Sequence, residues 1–261
     1  MILRSRTAWI VPVALALASF GLGDKAIAQT TFDFSVTYDT EFTFPPLDEE
    51  LRPEVVDISP LIEDLPPEFQ AALPENLPSE LINPEILDVQ VTGESADPNT
   101  PFGLTNFTSN TVGLPLPPQT DPTTGQPTRQ VSIFRANPAD LNVDLPTPEF
   151  SDVYFGDGNN KIFGQANDQA IFDFVEGTVG GLGVITIVGG EGIFEGATGR
   201  IDFTQSDELG PPDEPVRGQA RLDFSVEVPQ AVPEPTSSAA IVGMGVIGTV
   251  FLLRRHRRST V

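Results

Sequence analysis

A two-residue hydrophobic period, present near both ends of the central part of the chain, sets the class of fold. In Thr31–Tyr38, Phe32, Phe34, Val36 and Tyr38 share one face and Asp33, Ser35 and Thr37 the other. In Gln219–Val228, Ala220, Leu222, Phe224, Val226 and Val228 alternate in the same way. Alternation carried by aromatic and β-branched side chains is the pattern of a strand with one buried face. The D-F-S-V of residues 33–36 returns at 223–226, so both segments carry the same inward pattern. The first and last strands of a barrel need such matched faces in order to pair.

Further strands are predicted at Ile86–Glu94, Gln130–Arg135, Gln169–Val175, Gly183–Val188 and Arg200–Thr204. Glu41–Phe44 continues the first strand past a turn at Asp39-Thr40. The turn cluster Gly156-Asp157-Gly158-Asn159-Asn160 joins Asp152–Phe155 to Lys161–Phe163 as a hairpin. Phe102–Val112 reads as a polar segment, and Leu114–Thr128 and Asn137–Pro148 as loops. Short strands, glycine-rich corners and no long amphipathic helix predict an all-β fold, a single antiparallel β-barrel with a sandwich as the alternative.

Residues 45–84 break the pattern. Eight prolines precede Pro84, interleaved with acidic residues and with leucine or isoleucine. Such a density forbids a central strand or a long helix. Short helices fit Pro67–Leu73 and Ser79–Leu81. The stretch is either an acidic, proline-rich excursion packed on the domain by its leucines or a disordered linker.

Both ends read as routing signals. Arg4 and Arg6, the apolar run Ala8–Leu22 and Ala26-Ile27-Ala28 before Gln29 compose a signal peptide over residues 1–28, cut by signal peptidase after Ala28. An uncleaved anchor helix is the alternative. At the other end, Pro233-Glu234-Pro235 precedes an uncharged run, 237–253, then Arg254, Arg255, His256, Arg257 and Arg258. A run of that length is at the short end of what spans a bilayer as a helix. The arginines supply a cytoplasmic stop, and the rigid prolines keep the junction extended, as a protease cleft requires. Residues 29–231 are then an exported β domain, and 232–258 a sorting tail.

Without residues 1–28 and 236–261 the chain keeps 7 of 14 basic and 36 of 37 acidic residues, a formal net charge of −29. That surface repels nucleic acid and attracts cations. The chain has no cysteine; its one histidine is His256 and its one tryptophan Trp9. The exported part therefore lacks His, Cys and Trp, which removes Ser-His-Asp and Cys-His nucleophiles, His-ligated zinc and thiol redox chemistry. No catalytic residue and no cofactor is predicted. Sixteen of the eighteen phenylalanines belong to this part and read as core. Asp157, Asn159 and Asp168 offer oxygen ligands at short spacing for Ca2+, without the order of a calcium loop.

Residues 189–199, G-G-E-G-I-F-E-G-A-T-G, form a glycine-rich corner: Gly189, Gly190, Gly192, Gly196 and Gly199 permit tight backbone, while Ile193 and Phe194 anchor it in the core. A phosphate loop is not supported, because no G-K-[ST] follows and Glu191 and Glu195 would repel the phosphate.

The last thirty residues resemble the PEP-CTERM sorting tail: Pro-Glu-Pro, one short transmembrane helix and an arginine cluster, in that order. The resemblance implies recognition by an exosortase, a membrane protease-transpeptidase of bacteria that make extracellular polysaccharide. It also implies residence first in the inner membrane, then at the cell surface or outside. The glycine corner, with I-T-I-V before it, resembles the G-G-T-G-x-F-x-G-A-x-G corner of the allene oxide cyclase and dirigent barrel group, with Glu191 where that group has Thr. That likeness implies an eight-stranded barrel with an apolar mouth and transfers no catalytic residue. Three readings follow: a structural or binding protein of the cell surface or matrix, a small-molecule-binding or cyclase-type barrel, and a calcium-dependent matrix adhesin.

Overall fold

The alternating segments are strands, and the structure, a computed structural model, describes residues 28–211 and 214–230. In chain order the strands are β1 (Ala28–Thr43), β2 (Val55–Asp57), β3 (Glu80–Ile82), β4 (Leu87–Glu94), β5 (Asn106–Pro115) and β6 (Gln119–Thr120). They continue with β7 (Pro127–Arg135), β8 (Asp152–Phe155), β9 (Lys161–Asp173), β10 (Thr178–Glu191), β11 (Thr198–Glu208) and β12 (Val216–Gln230). Two one-turn helices, α1 (Ser59–Glu63) and α2 (Pro67–Gln70), lie in the proline-rich excursion. The protein is mostly β, built on one large sheet of ten strands, with β2 and β3 forming a separate pair. Every pairing with a defined register is antiparallel.

β10 bonds to both β9 and β11, so neighbours lead from β10 through β11, β12, β1, β4, β5, β8 and β9 back to β10. One position in that circuit is shared. β5 pairs with β7 through Val112–Pro115 and with β8 through Asn106–Ser109. β9 does the same from its side, with β8 at Ile162–Gly164 and with β7 at Asn167–Asp173. β7 and β8 therefore stand end to end between β5 and β9, and the chain leaves the sheet between them over residues 136–151. The seam is bonded: Asn110 N donates to Ser151 O (2.9 Å), Ser151 N to Gly164 O (2.8 Å) and Ala136 N to Ala166 O (2.9 Å).

The sheet's two faces carry two apolar clusters. One gathers Val36, Tyr38, Phe107, Tyr154, Ile162, Ile185, Phe194, Ile201, Leu222, Phe224 and Val226, drawn from β1, β5, β8–β12 and the corner between β10 and β11. Phe32, Phe34, Phe102, Phe194 and Phe224 close one end of it, with ring centroids 4.6–5.9 Å apart in edge-on and stacked contacts. The second cluster lies on the other face of β5 and β7. There Val56, Ile58, Leu65, Phe69 and Ala72 of the excursion pack on Leu114, Leu116, Val131, Ile133 and Leu141. The excursion is thus packed by its apolar residues, each large one contributing about 1.5–3 kcal/mol when fully buried. The linker alternative does not hold.

Several local expectations change. β1 runs through Asp39-Thr40 without a turn, because Thr40 faces inward and its hydroxyl donates to Asp207 Oδ1 at 3.1 Å. The polar segment 102–112 contains most of β5, whose Ser109 and Thr111 are buried. Part of the loop expected at 114–128 holds the end of β5 and all of β6. Ser79–Leu81 is not helical; Glu80–Ile82 forms β3 against β2. A short helix starting at Pro67 is present, with proline in its first turn. Among the described residues no helix is long and apolar enough to cross a membrane; the run 237–253 lies outside them.

Candidate functional site

Strand alternation delivers a small set of polar side chains to the otherwise apolar inner face. On β9, Asp168 takes an inward position between Ala166 and Ala170. It pairs across the sheet with Phe134 of β7 on one side and Gly183 of β10 on the other. Asp152 opens β8, opposite Ser109 of β5 and Gly164 of β9. Gln205 and Asp207 alternate on β11 beyond Phe203. These groups surround two small adjoining voids, of about 30 Å3 and about 40 Å3, within clefts that open in part to solvent. Phe42, Val91, Ser109, Asp168, Phe203 and Gln205 line both.

Missing side chains help to make this space. At Gly183 a Cβ would stand 2.5 Å from Asp168 Cβ and 2.8 Å from Phe203. Only glycine lets β10 pass so close to the Asp168 backbone.

The carboxyls are held in different ways. Asp152 is buried and bonded by the Ser151 hydroxyl, with Tyr154 Oη 3.5 Å away. Ser151 Oγ also accepts from Ala166 N at 2.9 Å, which ties the carboxylate to the seam between β7 and β8. Asp207 is buried and accepts from Gln205 Nε2 (2.5 Å) and Thr40 Oγ1 (3.1 Å). Asp168 keeps some exposure as a residue, yet its Oδ1 is enclosed and has no hydrogen-bond partner among the described residues. Arg135 does not neutralise it. Its neighbour Phe134 lines the void, so Arg135 points to the other face, and its Nη1 donates to the carbonyls of Phe134 (2.8 Å) and Asp168 (3.3 Å).

Burial sets the protonation of all three. It raises Asp152 to about 6 against the pull of its hydroxyl partners, and Asp207 likewise to about 6. Asp168 rises to about 8, first through burial and then through the nearby charge of Asp152, with Arg135 opposing. Near neutral pH the site thus holds one neutral carboxyl beside carboxylates. Acids whose environments push their pKa values apart are the raw material of proton transfer, and an enclosed unpaired oxygen is an anchor for a polar ligand atom.

The residues expected from sequence divide among several places. Asp157 and Asn159 are exposed in the turn between β8 and β9, whereas Asp168 lies seven residues along β9, about 23 Å at strand rise. One ion cannot join them. Among the described residues no three His, Cys, Asp or Glu side chains stand close enough to hold a metal. Gly192, Gly196 and Gly199 of the corner have positive φ, and at Gly199 a Cβ would overlap Ser225 O of β12. Phe194 is fully buried, but Ile193 is exposed and does not anchor the corner. Asn160 does so instead: its Oδ1 accepts from Ile193 N (3.2 Å) and its Nδ2 donates to Phe102 O (3.0 Å). Glu191 pairs with Lys161 at 2.8 Å. Gln29 lies in β1, next to Ala28 at its start. Ala26, Pro233, Glu234, Pro235, Arg254, Arg255, Arg257 and Arg258 lie outside the described residues.

Asp152, Asp207, Gln205 and Ser109 were not singled out by sequence. The available signal was parity, since each occupies an inward position on a strand that also sends an aromatic residue inward: Phe107 on β5, Tyr154 on β8 and Phe203 on β11. No protein-family model, curated protein or solved structure matches the chain.

Proposed function

We propose that the chain is an exported surface protein, released from its membrane tail by an exosortase-type protease, whose β domain is a closed eight-stranded barrel that binds a small molecule inside. Closure is supported by the return of strand pairing to β10 through eight positions, one of them shared by β7 and β8. Routing is supported by the N-terminal signal pattern and by Pro233-Glu234-Pro235, the uncharged run 237–253 and the arginines at 254, 255, 257 and 258.

Binding rests on one observation. The inner wall of Phe42, Phe44, Phe172 and Phe203 stops short around an enclosed carboxyl oxygen without a partner. Such an atom costs about 1–3 kcal/mol while unpaired, and a ligand that pairs with it recovers that cost. The aromatic wall favours a mostly apolar molecule with one polar group. A cyclase- or isomerase-type reaction in the same void is a second reading. It is favoured by two neighbouring carboxyls, Asp152 and Asp168, raised to different extents, about 6 and about 8.

Native and denaturing mass spectrometry on protein recovered from its own envelope, with and without the exosortase, tests both parts. The expected product begins at Gln29, ends near the Pro-Glu-Pro signature, and releases a small molecule on denaturation. A soluble cytosolic product that keeps its arginine end overturns the routing. A chain that carries nothing and takes up no added small molecule overturns the binding.

A further inference from the structure

The binding reading leaves the ligand's chemistry open, and the lining of the voids narrows it. Asp152 and Asp168 reach one void, Asp168 and Asp207 the other, and among the described residues no lysine or arginine lines either. A buried acidic group normally acquires a cationic partner or stays protonated. Here Ser151, Gln205 and Thr40 supply donors to Asp152 and Asp207, but among the described residues none reaches Asp168 Oδ1. Phenylalanine rings complete the wall, and ring faces attract a desolvated cation. A metal ion would require a closer set of oxygen ligands than these residues form.

Resting on the small-molecule reading above, we propose that the inner void takes a small organic ammonium ion, its N–H groups donated to Asp168 Oδ1 and its hydrocarbon part held by Phe42, Phe172 and Phe203. The missing cation of the site arrives with the ligand. Phe32, Phe102 and Phe194 plug one end of the inner cluster, so entry is from the end marked by Phe42 and Phe44.

The charges around Asp168 decide the pH behaviour. Asp152 faces it from β8 and Tyr154 stands beside them, while Asp207 reaches the first void from β11. Arg135 acts from β7 through the opposite face of the sheet. In the empty protein Asp168 carries a proton near neutrality. An arriving ammonium displaces that proton, so binding at pH 7 releases about one proton, and affinity rises with pH from 6 until Asp168 is ionised near 8.

Calorimetry on the full chain in detergent, with ethylammonium and its neutral counterpart ethanol as probes, tests this. Ethylammonium is expected to bind at least about tenfold more tightly than the alcohol, and about fiftyfold more tightly at pH 8 than at pH 6. Buffers of different ionisation enthalpy should report the released proton. Asp168→Asn should abolish the preference and the proton release while the melting temperature at pH 7 does not fall. Equal binding of the two probes overturns the ammonium assignment and leaves the small-molecule reading standing. Absence of binding by either probe, together with protein that carries nothing from its envelope, overturns both. A melting temperature raised by calcium alone and abolished by Asp168→Asn assigns the void to a metal ion and likewise overturns the proposal.

Discussion

The ring of Phe34 in β1 stacks on that of Phe224 in β12, with centroids 4.6 Å apart and planes within 9°. The contact joins the two copies of D-F-S-V at matched positions. Around it, Ser225 Oγ donates to Asp33 Oδ1 (2.8 Å), Gln219 Nε2 to Asp39 Oδ1 (2.9 Å) and Arg217 Nε to Glu41 Oε2 (3.0 Å), all in one antiparallel register. Phe224 is buried and also meets Tyr154 edge-on at 5.2 Å. Phe224→Ala is expected to cost about 3–5 kcal/mol in denaturant unfolding. The exposed pair partner Arg217→Ala should cost under about 1 kcal/mol. Equal effects would contradict the placement of these strands.

Stability should fall as pH rises. Asp152 and Asp207 titrate near 6 and Asp168 near 8 in the fold, against about 4 in an unfolded chain. Between those values the unfolded chain holds fewer protons, so each group's contribution is full below about pH 4 and is lost as pH rises through its folded value. The melting temperature at pH 5 is expected to exceed that at pH 9 by several degrees, and Asp168→Asn should shrink the part of the fall above pH 7. A profile unchanged by that substitution would show that Asp168 does not titrate there.

Gly183→Ala should destabilise by about 2–4 kcal/mol. The new methyl meets the Cα and Cβ of Asp168, which cannot swing away. Urea unfolding measures the loss, and a change within about 0.5 kcal/mol would mean that β10 does not approach β9 so closely.

The proline-rich excursion gives a sharp contrast between a packed segment and a linker. Phe69 and Ile58 are buried against β5 and β7. Phe69→Ala is expected to cost about 3–5 kcal/mol and Ile58→Ala about 2–5. Limited proteolysis of the unsubstituted chain should spare residues 45–84, and rapid cleavage there would count against the packing.

Gly199 at the corner has φ 133° and lies against Ser225 O. Gly199→Ala combines backbone strain with a steric overlap and should cost at least about 3 kcal/mol, detected as loss of soluble protein or a large drop in denaturation midpoint.

Much of the sheet was legible because its inner face is apolar and alternates. β1, β4 and β12 follow directly from Phe, Val and Leu at every second position, and β8 from the turn cluster at 156–160 that follows it. β5 is masked in the sequence because two of its inward residues, Ser109 and Thr111, are polar and interrupt the apolar alternation. The turn expected at Asp39-Thr40 rested on residue type alone; an inward threonine bonded to Asp207 is invisible until β11 is in place. In the sequence Asp168 stands out only by its proximity to Asp157, a proximity that strand extension undoes. What selects it is the combination of inward parity on β9 and a glycine opposite on β10, a relation across strands that no local window contains.

The division of one wall position between β7 and β8 gives the molecule a natural docking point for change. Residues 136–151 enter and leave where Ser151 and Asp152 meet the inner face, and the strands on either side hold their registers with β5 and β9 independently. A change of length within 136–151 therefore leaves the register of either strand in place, provided Leu141 and Val143 keep their seats in the apolar cluster on the opposite face of the sheet.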